Sequence, residues 1–311
     1  MIAATARRAL EDALGDAIAF DVPMTRHTSL RIGGPADALA TPRSREQIAA
    51  LLTICIEHEV EHWTIGAGFN CLVSDEGIDG LVIKLAGLRE ISLQSDTAVF
   101  AEAGVTHASL TRFCVDRGLA GLEFGAGIPG VVGGWIPMNA GIGTREVKDV
   151  VHSVEVVEPG AGERTISRED LEFRYRALCG LAQGAVIVSA RFAVTPSSSE
   201  AVRSEVDRLL AQRAASQPLN VPSCGSVFKN PDGDFAGRLI EAAGLKGARI
   251  GGAEISPVHA NFIANRGGAT ADDVLRLMQR AQAAVEKEAG IRLEPEVRLI
   301  GRARPAEEGE D

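Results

Sequence analysis

Between Gly125 and Gly143 the chain reads GAGIPGVVGGWIPMNAGIG, in which seven of 19 residues are glycine and none is charged. Without a Cβ, glycine lets another group lie against the main chain, where N–H groups can bind phosphate oxygens, at an entropic cost for each residue. A large planar or phosphate-bearing ligand fits such a backbone, and on this stretch alone so does a glycine-rich surface loop. A membrane span does not fit. Pro129, Pro137 and the adjacent Gly133 and Gly134 would break a helix of spanning length.

The flanking periodicities predict mixed α and β structure. An amphipathic helix is expected over 1–19, then a turn at Gly33, Gly34 and Pro35 leading to a strand over Asp37 to Ala40. REQIAALLTICIEHEV has helical spacing, with Ser44 as its N-cap, and is followed by a short strand HWTIG, a glycine turn GAGFNCLVSDEG and a strand over 80–85. This is a β-α-β unit with a backbone nest at a strand end. EISLQSDTAVFAEAG reads as a hairpin, and THASLTRFCVDRG as a helix capped by Thr106 and closed by Gly118. Strands dominate from Val147 onward, to a boundary at PSSSE (196–200). Beyond it come three helices, EAVRSEVDRLLAQRAAS, FAGRLIEAAG and TADDVLRLMQRAQAAVEKEAG, and a closing strand LEPEVRLIG.

Charge and cysteines narrow the function classes. A net charge of −10 over 311 residues argues against non-specific nucleic-acid binding. Part of that excess belongs to an acidic tail over 302–311. From Lys229 to Arg266, however, five basic residues face four acidic ones, so an anionic small molecule is expected to bind there. The five cysteines form no CxxC pair and read as small core residues. Acidic residues interrupt the N-terminal apolar run, which excludes a signal peptide and implies a cytoplasmic protein without membrane attachment.

Three shorter patterns test weaker ideas. GAGIPG matches G-x-G-x-x-G, but a dinucleotide fingerprint must open a helix, and VVGGWIPMNAG cannot supply one. His58 to His62 satisfies H-E-x-x-H, yet the helical pattern stops near Val60, so His62 falls beyond the helix and no metal site is expected. Cys224, Ser226 and His259 are candidates for nucleophile and base, but no nucleophile-elbow sequence surrounds the serine.

Eight segments in one order carry a family resemblance: RHTSLRIGGPAD, GAGFNCLVSDEGIDGLVI, GLEFGAGIPGVVGGWIPMNAG, RYR, PSCGSVFKNP, AGRLIEAAGLKGARIGGAEIS, HANFIAN and EPEVRLIG. Over about Thr25 to Gly301 the chain resembles the UDP-N-acetylenolpyruvoylglucosamine reductases. The resemblance implies an α+β fold: an FAD-binding domain of the vanillyl-alcohol-oxidase/p-cresol-methylhydroxylase type over 20–197, with subdomains 20–85 and 86–197, and a substrate domain over 198–301. It implies NADPH-dependent reduction of an enolpyruvyl ether on a UDP-sugar, in peptidoglycan precursor synthesis. Ser226 would be the acid, Arg176 the cation for the developing enolate, and Glu296 the third catalytic group. FAD would lie on Gly66, Ala67, Gly68, Phe69 and Asn70, and on Gly127, Ile128, Pro129, Gly130, Gly133 and Gly134. Lys229 and Asn230 would meet the substrate diphosphate.

Two departures stand out. Phe69 replaces a small hydroxyl residue, and Ser216 stands where a lysine is usual. With Tyr175 its sole tyrosine, the chain fits the subclass without a tyrosine-bearing substrate loop. The nearest alternative is another FAD oxidoreductase of this fold with a different substrate. Nothing in the sequence fixes an oligomeric state.

Overall fold

A computed structural model describes residues 1–302. The proposed acidic tail lies outside the described residues except for Arg302, which is anchored by Asp37 and Asp79 at 3.2 and 2.8 Å.

Helix α1 (Ala4–Leu14) buries Ala6, Leu10 and Leu14, a spacing that puts one apolar stripe on one face. It is shorter than the sequence reading. Gly15, at φ 54°, ends it, and the rest of the supposed helix becomes the strand Ile18–Pro23, antiparallel to Pro35–Ala40. Helix α2 (Arg45–Glu57) begins as expected, with Ser44 accepting a hydrogen bond from the Gln47 N–H. The first sheet has the order 18–23, 35–40, 78–84, 62–65, with its last three strands parallel. Together α1, α2 and this sheet enclose a core of Leu10, Leu51, Leu52, Leu81 and Ile83. Each fully buried leucine or isoleucine contributes about 1.5–3 kcal/mol.

A second, five-stranded antiparallel sheet has the order 162–167, 151–158, 186–193, 98–102, 91–95. Helix α3 (His107–Arg117) packs over it, capped by Thr106 and closed by Gly118 in the left-handed region. The glycine stretch contains one short turn of helix, α4 (Val132–Trp135), which the sequence reading did not allow. Gly133 and Gly134 tolerate it because the Val132 and Gly133 N–H groups are bonded to the Val105 and Ala103 carbonyls, and the turn stops before Pro137.

Helix α5 (Ser199–Ser216) leads to a third sheet, order 223–226, 262–265, 253–255, 249–250, covered by α6 (Ala236–Ala242) and α7 (Ala271–Ala289). Leu30, Ile32 and Leu72 from the first third of the chain belong to this third core. The segment read as a glycine turn also contains a strand, Cys71–Val73, parallel to Arg298–Ile300 at the chain's end. That pairing closes the chain back onto its beginning.

Candidate active site

Strand ends of the first and third sheets, with the glycine stretch 127–142, line a cleft of about 680 Å³, within the size range of small-molecule sites. Both glycine turns line it, the first at 66–70 and the second at 127–134. Among the described residues, four arginines (Arg31, Arg176, Arg213, Arg298) line it against a single carboxylate, Glu296. In a chain of net charge −10 this is a local inversion of sign, and it selects an anionic ligand.

Of these cations the sequence reading names only Arg176, and none belongs to the basic-rich segment 229–266. Each basic residue of the 229–266 region is paired: Lys229 with Glu294, Arg238 with Asp234, Lys246 with Glu241, and both Arg249 and Arg266 with Glu254. Their charge is spent inside the fold. Lys229 and Asn230 are not among the residues lining the cleft. Asn230 instead accepts from the Ala236 N–H at the start of α6, and its own N–H donates to the Tyr175 hydroxyl at 3.4 Å.

Ser226 ends the strand Ser223–Ser226, whose pairing with Phe262–Asn265 slips between Ser223 and Ser226. Gly225, at φ 79°, absorbs that irregularity, which re-aims the serine into the cleft as bulges commonly do. Glu296 is next to it through the backbone: its N–H donates to the Val227 carbonyl at 2.8 Å, and its carbonyl accepts from Asn70 Nδ2 at 3.1 Å. Burial raises the Glu296 carboxyl above the usual carboxylate range, and the nearby Arg176 and Lys229 only partly offset this. Arg176 sits in the two-residue turn between strands Glu172–Arg174 and Ala177–Cys179, at φ 56°, a left-handed conformation costly for a side-chain-bearing residue. Its guanidinium lies 4.7 Å from the Tyr175 ring centroid and 3.4 Å from Glu296 Oε1.

The glycines divide into two kinds. A methyl group at Gly66 would lie 2.7 Å from Val131 Cγ2, at Gly68 2.1 Å from the His27 carbonyl oxygen, and at Gly133 2.5 Å from Leu85 Cδ1. Those three are glycine because other parts of the protein press on them. At Gly130 and Gly134 nothing among the described residues lies within 4 Å, so their bare backbones face open space. Gly127 abuts Arg213 and Leu210 of α5, with a methyl there 3.0 Å from Arg213 Cδ.

Arg213 is a cleft residue that the sequence reading missed. Its Nη2 donates to Gln217 Oε1 at 2.8 Å, its buried Nε has no partner, and no carboxylate pairs with it among the described residues. Burial of this unbalanced charge lowers its pKa. A ligand phosphate would supply the missing counter-charge. Only its position in QRAAS, one turn before the Ser216 departure, hinted at it.

Of the other sequence candidates only Cys224 lines the cleft. His58 caps α2 and His62 opens the next strand, where its Nε2 meets the Gly184 carbonyl at 3.0 Å. Cys224 is buried with its thiol pushed up to about 12, and His259 Nδ1 accepts from the Asn261 N–H at 3.2 Å. No helix is long and apolar enough to cross a membrane among the described residues.

Comparison with known proteins adds two family profiles. Residues 36–166 match one described as "FAD binding domain", and residues 217–300 one described as "UDP-N-acetylenolpyruvoylglucosamine reductase, C-terminal domain". Among curated relatives, the UDP-N-acetylenolpyruvoylglucosamine reductase of Geobacter metallireducens is 46% identical over 281 residues, covering 90% of this chain and 93% of the relative. That of Syntrophus aciditrophicus is 44% identical and covers 94% and 95%. The crystal structure of the Thermus caldophilus enzyme of that name superposes with a TM-score of 0.78 at 35% identity, covering 90% of this chain and 97% of that one.

Proposed function

The chain belongs to the UDP-N-acetylenolpyruvoylglucosamine reductase family, and from that premise we propose how its cleft residues divide the work. The reaction is NADPH-dependent reduction of the enolpyruvyl ether of UDP-N-acetylglucosamine enolpyruvate to the lactyl ether of UDP-N-acetylmuramate, a step toward peptidoglycan. FAD, when bound, supplies the hydride chemistry between the two substrates. The bare backbones of Gly130 and Gly134, the N–H groups of 66–70 and the unbalanced Arg213 suit such a dinucleotide.

Hydride addition at the methylene carbon leaves negative charge shared between the adjacent carbon and its carboxylate. Arg176, planar and permanently charged, holds that carboxylate in two-pronged fashion. Ser226 protonates the carbon. A serine hydroxyl is a weak acid, so it needs a proton source close by, and Glu296, whose carboxyl burial pushes above the usual range and whose N–H is bonded to the Val227 carbonyl, fills that role. Lys229 and Asn230, which lie outside the cleft lining and are bonded to Glu294 and Tyr175, are assigned to the substrate diphosphate. We take the flavin-binding part as 20–197 and the substrate-binding part as 198–301, acting on a small UDP-sugar in the cytoplasm.

One observation carries this reading. Arg176, Ser226 and Glu296, distant in sequence, converge on the cleft that both glycine turns line. Ser226→Ala should leave reduction of bound flavin by NADPH unchanged and slow its reoxidation by substrate by about 10²–10⁴-fold. Equal effects on both half-reactions would remove Ser226 from the protonation step.

A further inference from the structure

Behind Arg176 stands a second carboxylate that none of these roles uses. Glu146 Oε1 lies 3.4 Å from Arg176 Nη1, while Glu296 Oε1 lies 3.4 Å from Arg176 Nε, so one guanidinium is shared between two carboxylates on different edges. All three side chains are more than four-fifths buried. The other oxygen of Glu146 is held by Lys148 Nζ at 2.7 Å and Asn139 Nδ2 at 3.0 Å.

Asn139 is itself wholly buried, at φ 40°, and its side chain makes three bonds. It donates to Glu146 and to the Arg174 carbonyl, and accepts from the Lys148 N–H. It therefore joins Glu146 to the hairpin that carries Arg176. A strained, fully satisfied residue at such a junction fixes geometry.

We propose that Glu146, braced by Asn139 and Lys148, is a positioning residue that orients the Arg176 guanidinium and keeps it from committing fully to Glu296, so that Glu296 retains its proton for the reaction. This rests on the roles proposed above for Arg176 and Glu296. The sign follows from charge alone. Facing Glu296 are Arg176, Lys229 (itself paired with Glu294) and the neutral Cys224 thiol. Facing Glu146 are Arg176, Lys148 and Asp149, whose carboxylate accepts from the Glu146 N–H, with Arg168 beside Lys148. Removing the Glu146 charge lets Glu296 ionise more readily, and removing Lys148 does the reverse.

Glu146→Gln should leave the flavin spectrum, FAD affinity and reduction by NADPH as in the parent. Reoxidation by substrate should slow about 10–100-fold, the cost of a guanidinium displaced by about 1 Å. The alkaline limb of its pH profile should move to lower pH, and Lys148→Met should move the same limb to higher pH. Glu146→Asp, which keeps the charge but not the reach, should slow the reaction with the limb in place. Shifts of the same sign in Glu146→Gln and Lys148→Met, or none, would overturn the inference. Arg176→Lys is measured alongside: normal reoxidation in it would sink the underlying role of Arg176, whereas a slow Arg176→Lys beside a normal Glu146→Gln would sink the Glu146 inference alone.

Discussion

Gly133 and Gly134 are adjacent, both helical, and differ only in what a methyl group would meet. At Gly133 it would lie 2.5 Å from Leu85 Cδ1 and 2.8 Å from Ala103 Cβ, inside packed protein. Gly133→Ala is then an overpacking change costing about 1–3 kcal/mol, and the flavin-free protein should melt several degrees lower. At Gly134 the methyl would meet nothing within 4 Å and would project into the cleft. Exchange of a helical glycine for alanine is by itself favourable by up to about 1 kcal/mol, so the flavin-free Gly134→Ala protein should melt unchanged or higher. Its cost appears only with a ligand against that backbone: the same 1–3 kcal/mol now falls on the complex, weakening FAD by roughly 10–100-fold. Scanning calorimetry of the apoproteins and fluorescence titration with FAD separate the two effects. Gly134→Ala binding FAD as tightly as the parent would refute the placement of the cofactor on this turn, and a parent-like melt for Gly133→Ala would refute the packing explanation.

Two predictions concern the scaffold. His107 is 3% exposed with its ring 3.5 Å from that of Trp135, and burial, helped by the Arg213 charge, lowers its pKa well below the usual value. The unfolded chain therefore binds a proton there that the fold does not, and stability present above about pH 6.5 is lost as pH falls below it. His107→Gln, even if less stable throughout, should show a flatter decline in melting temperature between about pH 7 and 5; parallel declines would show that His107 is not the titrating group. Asp75, from the segment after the first glycine turn, accepts from the Ala271 and Asp272 N–H groups at 2.8 and 3.1 Å and so caps α7 from outside the third sheet. Asp75→Ala should cost about 1–2 kcal/mol in denaturant unfolding and Asp75→Asn much less, while equal losses would deny the charge any part at this helix end.

Local signals in the sequence were reliable where local physics decides the outcome. Ser44 and Thr106 cap the helices they precede, and Gly118 closes its helix in the left-handed region, because caps are settled within one turn of chain. The family resemblance placed Arg176, Ser226 and Glu296 together, and the structure brings all three to one cleft. What was illegible depends on partners far along the chain. A basic-rich segment reads as a free anion site until one sees Glu254 take both Arg249 and Arg266. Glycines that look alike in GAGIPGVVGG separate only when Leu85 and Ala103 are seen against Gly133. The helix expected to reach residue 19 stops at Gly15 because Pro35–Ala40 offers Ile18–Pro23 a strand partner, and pairing over six residues outweighs helical propensity.

Asn70 shows how the cleft can act as one unit although its parts come from separate sheets. Its backbone carbonyl accepts from the Arg298 N–H at 3.2 Å, its side chain donates to the Glu296 carbonyl, and it ends the first glycine turn. The strand it precedes, Cys71–Val73, pairs in register with Arg298–Ile300, and Arg302 then locks that segment to Asp37 and Asp79 of the first sheet region. Glu296 is therefore tied on one side to the turn that faces the cofactor space and on the other, through its N–H and the Val227 carbonyl, to the strand that carries Ser226. A shift of the first glycine turn cannot leave Glu296 behind. On the proposed roles, a ligand bound at that turn would fix the position of the carboxyl assigned to feed Ser226, and the site gains its geometry from backbone bonds that no single-residue pattern in the sequence encodes.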